Sequence, residues 1–114
     1  MSHPDHTWLA DILIAARHVA RFVAGVSRAE LEVDVMRQSA VIRQLEIIGE
    51  ASKQISAEFR SLHPEIPWRA MAGMRDVLIH GYRHVNPDAV WSAATESVPA
   101  LIQNVEPLVP PFDE

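Results

Sequence analysis

No cysteine occurs among the 114 residues, which excludes disulfide staples and thiolate metal sites. Stability therefore rests on the core alone. Glycine is scarce, at four residues, and the chain has one lysine (Lys53) and one tyrosine (Tyr82). Basic charge is the minority sign: 10 basic against 15 acidic residues leave a formal net charge of -5. That balance argues against bulk electrostatic binding to nucleic acid or to an anionic membrane, so any polyanion site must be local. Long apolar runs are missing too. The strongest stretch near the start, Ile12 to Ala16, is bounded by Asp11 and Arg17, and no basic-then-apolar leader precedes it. A soluble cytoplasmic protein without a membrane partner is the expectation.

What is present is an ordinary globular mix, 48% hydrophobic and 22% charged, in a length that makes one domain with one core. No repeat or linker divides it, so residues 1–114 read as a single domain with mobile ends at about 1–6 and 107–114. Apolar residues recur at three and four rather than at two, which predicts an all-α fold, an up-and-down bundle of four to five helices.

The first helix is predicted from about Thr7 to Ala24, with Trp8, Leu9, Ile12, Leu13, Ala16, Val19, Ala20 and Val23 in one stripe and Gly25 as its stop. Ser27-Arg28-Ala29-Glu30 reads as a capping box that opens a short helix to about Asp34. One long helix follows from Met36 to about Leu62, with Gly49 in its interior to let another backbone come close. Pro64 and Pro67 punctuate the next connection, and Pro67 starts a helix over Trp68 to His80 that Gly81 ends. Asn86-Pro87-Asp88 repeats the start signal for a last helix to about Glu106, kinked by Pro99, which has no amide to give Thr95.

Polar chemistry gathers between Pro67 and Pro87. Arg75, Asp76, His80, Tyr82, Arg83 and His84 all fall there. On one regular helix, Arg75 and His80 stand about 140° apart, so convergence needs a loosened helix near Gly81 or two copies meeting at a two-fold axis. If they do converge, the chemistry they suit is cleavage of an RNA phosphodiester. An imidazole accepts the proton of a ribose 2'-hydroxyl and an imidazolium protonates the leaving oxygen, while arginine stabilises charge on the phosphoryl oxygens. Such a scheme needs neither metal nor cofactor. The plainer alternative is structural: His80 against a helix C-terminus, and Arg75 beside Asp76 as a surface pair.

Arg75-Asp76-Val77-Leu78-Ile79-His80-Gly81-Tyr82 resembles the Arg-x4-His-x-Tyr signature of the HepT-like toxins, in the HEPN superfamily of helical ribonucleases. The block from Ala40 to Ala51, the stretch Pro64-Glu65-Ile66-Pro67-Trp68, the run Ala72 to Arg75 and the pair Val90-Trp91 resemble the same family. The resemblance implies a homodimer whose Arg75 and His80 positions line one cleft, with metal-independent endoribonuclease (RNase) activity on RNA. It also implies a partner, an MntA-like nucleotidyltransferase antitoxin that silences the toxin by AMPylation of Tyr82. Asp76 and His84 are auxiliary candidates. The competing reading is a non-catalytic helical dimer module that binds a nucleotidyltransferase or a nucleotide.

Other clusters are weaker. Glu46 and Glu50, four apart, suggest a supporting ion pair to Arg75 or Arg43. His3, Asp5 and His6 have metal-binding side chains but no fourth ligand, and no metal site is expected there. Trp68 and Trp91 are expected in the core.

Overall fold

Every element among the residues that the computed structural model describes, 4–73 and 86–112, is helical. Helix α1 spans Pro4–Val23; of the stripe read from the sequence, Trp8, Ala20 and Val23 are partly buried, and Leu9, Ile12, Leu13, Ala16 and Val19 are buried. These side chains meet Val41, Leu45 and Ile48 of α3 (Val35–Gln54) in the most extensive helix pair of the fold. Each such side chain contributes roughly 1.5–3 kcal/mol by leaving water. The two helices run antiparallel: Asp5 meets Ser56 at one end, and His18 meets Gln44 further along at 3.1 Å.

The turn between them is built from local signals. Gly25 takes a φ of 72°, a left-handed conformation that glycine reaches without a Cβ penalty. Ser27 then caps α2 (Arg28–Val33): the Glu30 amide donates to its Oγ at 3.1 Å, and the Ser27 amide donates to Glu30 Oε1 at 3.2 Å. The Ser27 amide bond is the main reason that the Glu30 carboxyl is held below its ordinary 4.5. Asp34 caps α3 by accepting from the Arg37 amide at 3.0 Å and from Arg37 Nε at 3.2 Å. The amide bond leads in lowering its carboxyl too.

The predicted helix from Met36 to Leu62 is two helices. α3 stops at Gln54, Ile55 and Ser56 turn extended, and α4 runs from Ala57 to Leu62. Ser56 explains the break. Its Oγ accepts from the Phe59 amide at 3.1 Å, while its own amide and hydroxyl donate to the two carboxylate oxygens of Asp5 at 2.8 and 2.7 Å. A serine with this many partners is worth more as a cap than as one more helical residue.

The ends differ from expectation in the same way. α1 begins at Pro4 rather than Thr7, and Asp5 is 2% exposed. At the other end, Leu108, Val109 and Phe112 pack against the core. Arg17 joins that end to α1, 3.3 Å from Glu106 and 5.9 Å from the centre of the Phe112 ring.

α5 is also shorter than predicted. It spans Trp68–Ala72 and is capped by Gly73, whose amide returns to the Arg69 carbonyl at 3.0 Å. Arg75 and His80, about 140° apart on one regular helix, both follow Gly73 and lie outside the described residues. After residue 85 the chain enters α6 (Pro87–Ser92), where the Asn86 side chain accepts from the Asp88 and Ala89 amides at 3.0 and 3.2 Å, as the sequence predicts. α6 continues through a π turn over Ala93–Ser97 into α7 (Val98–Val105) and a short 3-10 turn, Glu106–Leu108. The π turn lies directly before Pro99, and the Val98 amide bonds five residues back to Ala93. One widened turn is how this rod accommodates a residue that cannot donate to Thr95.

Among the described residues, counting α6, the π turn and α7 as one rod gives six helices against the four to five expected. The split at Ser56 supplies the additional one.

Candidate functional site

Arg75, Asp76, His80, Tyr82 and His84 lie outside the described residues. The structure instead shows how the chain is held on either side of them. On the approach, Trp68 is buried, donates from Nε1 to the His63 carbonyl at 2.9 Å and meets the Phe59 ring edge-on at 6.1 Å. His63 lies against the same Phe59 ring at 4.6 Å and bonds Glu65 at 3.2 Å. Ile66 and Met71 are buried beside it. On the exit, the Asn86 cap and buried Val90 fix the start of α6, with Trp91 partly buried against the core. α5 and α6 both pack on α3, so each flank of the signature stretch rests on the same helix.

The α3 face that they share carries Ala40 to Ala51. Val41, Leu45, Ile48, Gly49 and Ala51 of this block are buried. Arg75, one of the two arginines suggested for Glu46 and Glu50, lies outside the described residues; Arg43, the other, is 3.6 Å from Glu46, and Glu50 lies 4.0 Å from Lys53. These carboxylates therefore meet cations of their own helix. Asp5, grouped in the sequence with His3 and His6, serves Ser56 instead.

Two openings adjoin α5. One, about 490 Å³, is walled by Met71, Ala93, Leu101 and smaller side chains of α6 and α7. The second, also about 490 Å³, lies between α4 and α5 and is lined by Ala57, Arg60, Ser61, Trp68, Arg69 and Ala72. Neither Arg60 nor Arg69 belongs to a motif in the sequence. They stand nine positions apart across two prolines, and only the folded corner puts them on one cleft.

Arg17, Arg28, Arg37 and Arg43 each meet a carboxylate: Glu106, Asp88, Asp34 and Glu46. Arg60 and Arg69 meet none among the described residues. Among the described residues, no carboxylate lines their cleft. No described helix is long and apolar enough to cross a membrane.

The family model "Ribonuclease HepT-like" matches residues 12–108, from the core of α1 to the 3-10 turn after α7. The chain belongs to the HepT-like ribonuclease family. Among its HepT-like relatives, "Probable ribonuclease HepT" of Thermococcus cleftensis is 46% identical over 107 residues, covering 94% of this chain and 96% of that protein. "Putative RNase MJ1380" of Methanocaldococcus jannaschii is 40% identical over 99 residues, 87% of this chain and 91% of the relative. "Putative RNase TTE0752" of Caldanaerobacter subterraneus is 37% identical over 102 residues, 90% and 91% of the two chains. No solved structure matches the chain.

Proposed function

We propose that this HepT-like chain is the toxin of a toxin-antitoxin pair, a metal-independent endoribonuclease that works as a homodimer. The observation that carries the proposal is the Arg75, His80 and Tyr82 signature, in a chain that matches its family over residues 12–108. His80 takes the proton from a ribose 2'-hydroxyl as that oxygen attacks the adjacent phosphorus. The phosphorus–O5' bond breaks, the leaving oxygen receives a proton from an imidazolium, and a 2',3'-cyclic phosphate and a 5'-hydroxyl remain. Arg75 stabilises the charge growing on the non-bridging oxygens. Asp76 and His84 are auxiliary.

Regulation falls to Tyr82. A nucleotidyltransferase antitoxin moves AMP from ATP to the phenolic oxygen: the oxygen–phosphorus bond forms, pyrophosphate leaves, and the anionic adduct keeps RNA out by bulk and like charge. Because Tyr82 is the single tyrosine, the modified atom is unambiguous.

The test is cleavage of total RNA by the purified protein beside His80→Ala. Cleavage by the wild type alone is expected. No cleavage, or equal cleavage by both, removes the catalytic role and leaves a helical module that binds a nucleotidyltransferase or nucleotide. Incubation with the antitoxin and ATP should add AMP-sized mass steps to the wild type and none to Tyr82→Phe.

A further inference from the structure

Arg60 and Arg69 combine three properties that no other pair of described arginines shares. They line one cleft, that cleft has no carboxylate wall, and neither guanidinium has an ion-pair partner among the described residues. In an acidic chain this arrangement stands out, since Arg17, Arg28, Arg37 and Arg43 are each matched by an acid. Both cleft arginines are exposed, so their charge faces solvent rather than offsetting a buried group.

The remaining donors of the cleft are already engaged. The Ser61 hydroxyl donates to the Ala57 carbonyl at 3.0 Å, and the Trp68 indole donates to the His63 carbonyl at 2.9 Å. Recognition there belongs to the two guanidiniums, each a rigid fork of N–H donors that fits phosphate oxygens. The short helices that carry them are anchored beneath: Ser56 ties α4 to Asp5, and buried Trp68 and Met71 tie α5 to the core. The forks stand on fixed supports.

The cleft also leads into the signature stretch. Ala72 lines it, and Arg75 follows three positions on in the chain, a reach of at most about 11 Å. We infer that the cleft between α4 and α5 is a substrate subsite, in which Arg60 and Arg69 hold phosphates of a single-stranded RNA flanking the scissile bond. This rests on the ribonuclease reading for its choice of polyanion. A single strand is the form required, because a 2'-hydroxyl reaches an in-line position only where the backbone is free of the A-form helix, and unpaired RNA is the usual target of specific recognition.

The probe is a labelled single-stranded oligouridylate, titrated by fluorescence anisotropy with the full-length His80→Ala chain so that binding is read without cleavage. Arg60→Gln and Arg69→Gln should each weaken binding roughly tenfold, the equivalent of one lost charge-assisted hydrogen bond. Each should also reduce the slope of log affinity against log salt by about 0.7, the value for one phosphate contact on a single strand. Arg28→Gln, which removes the same charge from the exposed pair with Asp88, should leave both unchanged. In the His80 enzyme, the double variant should raise KM and leave kcat in place.

Unchanged affinity and slope in the double variant overturn the subsite, and so does a double variant that keeps RNA binding but loses the nucleotidyltransferase, which would make the cleft a protein surface. RNA binding that depends on both arginines, in a protein that cuts nothing, upholds the subsite and refutes the nuclease reading. No binding by the parent refutes both.

Discussion

The seam between α1 and α3 and the corner between α4 and α5 treat charge in opposite ways. Along the seam, Leu9, Ile12, Val41, Leu45 and Ile48 are sealed from water, and nearby polar groups such as His18 and Gln44 are paired. At the corner the helices are six and five residues long, and two arginines stand without acids among the described residues. Helices this short have little stability of their own; they are held by a few anchors such as Trp68 and Met71. The difference separates two tasks: the seam supplies stability, and the corner presents charge that a saturated surface could not offer a polyanion.

The hardest test of that division is a cavity in the seam. Leu45 is fully buried, and Leu45→Ala should cost about 2–5 kcal/mol in urea unfolding. Measured well below its midpoint, the same variant should bind oligouridylate as the parent does. A large loss of RNA affinity in a still-folded Leu45→Ala would show that seam and corner are not separable.

Asp5 is where the two regions meet, since it lies on α1 and holds the first residue before α4. Asp5→Ala leaves the Ser56 amide without its acceptor and should cost about 1.5–3 kcal/mol, the range for a hydrogen bond to a charged group. Ser56→Ala keeps that amide bond but loses both the hydroxyl's bond to Asp5 and the cap on the Phe59 amide, so its cost should be of similar size. A double-mutant cycle on the two should show coupling, because the single changes remove the same contact. Asp5→Ala should also weaken RNA binding by freeing α4 and with it Arg60. Loss of stability with RNA affinity intact would mean that the corner holds its shape without the tie.

The same contact explains what was legible in the sequence. Caps at Ser27 and Asn86 were readable because the partners lie two or three residues away. The break at Ser56 was not, because the partner that makes it worthwhile lies 51 residues back. Periodicity ran through Ile55 unbroken and could not show that the helix ended. Gly73 was passed over for a similar reason, as one glycine in a helical pattern marks an end only when the chain turns there. The signature could be read as a string of residue types and spacings, and it predicted the family. The cleft of Arg60 and Arg69 had no such string, since its members converge only through the fold of the corner.

The smallest effect expected is at the turn that joins the two helices of the seam. Glu30 and Asp34 are both held below their ordinary values of 4.5 and 3.8, each chiefly by a backbone amide. A carboxyl whose folded value is depressed contributes stability that is complete above its unfolded value and is lost as pH falls through the folded one. The loss therefore begins near pH 4.5 for Glu30 and near 3.8 for Asp34, and it deepens toward lower pH. Both groups face solvent, so water and salt screen the contribution to a minor part of the total. Glu30→Gln and Asp34→Asn should lower stability slightly at neutral pH, where the contribution is complete, and so flatten the acid limb of the stability curve. Neither should alter the salt slope of RNA binding, because each acid serves a cap on the far side of α3 in sequence from the corner. An acid limb as steep in the double variant as in the wild type would place the responsible carboxylates elsewhere, with Asp5 the next to substitute.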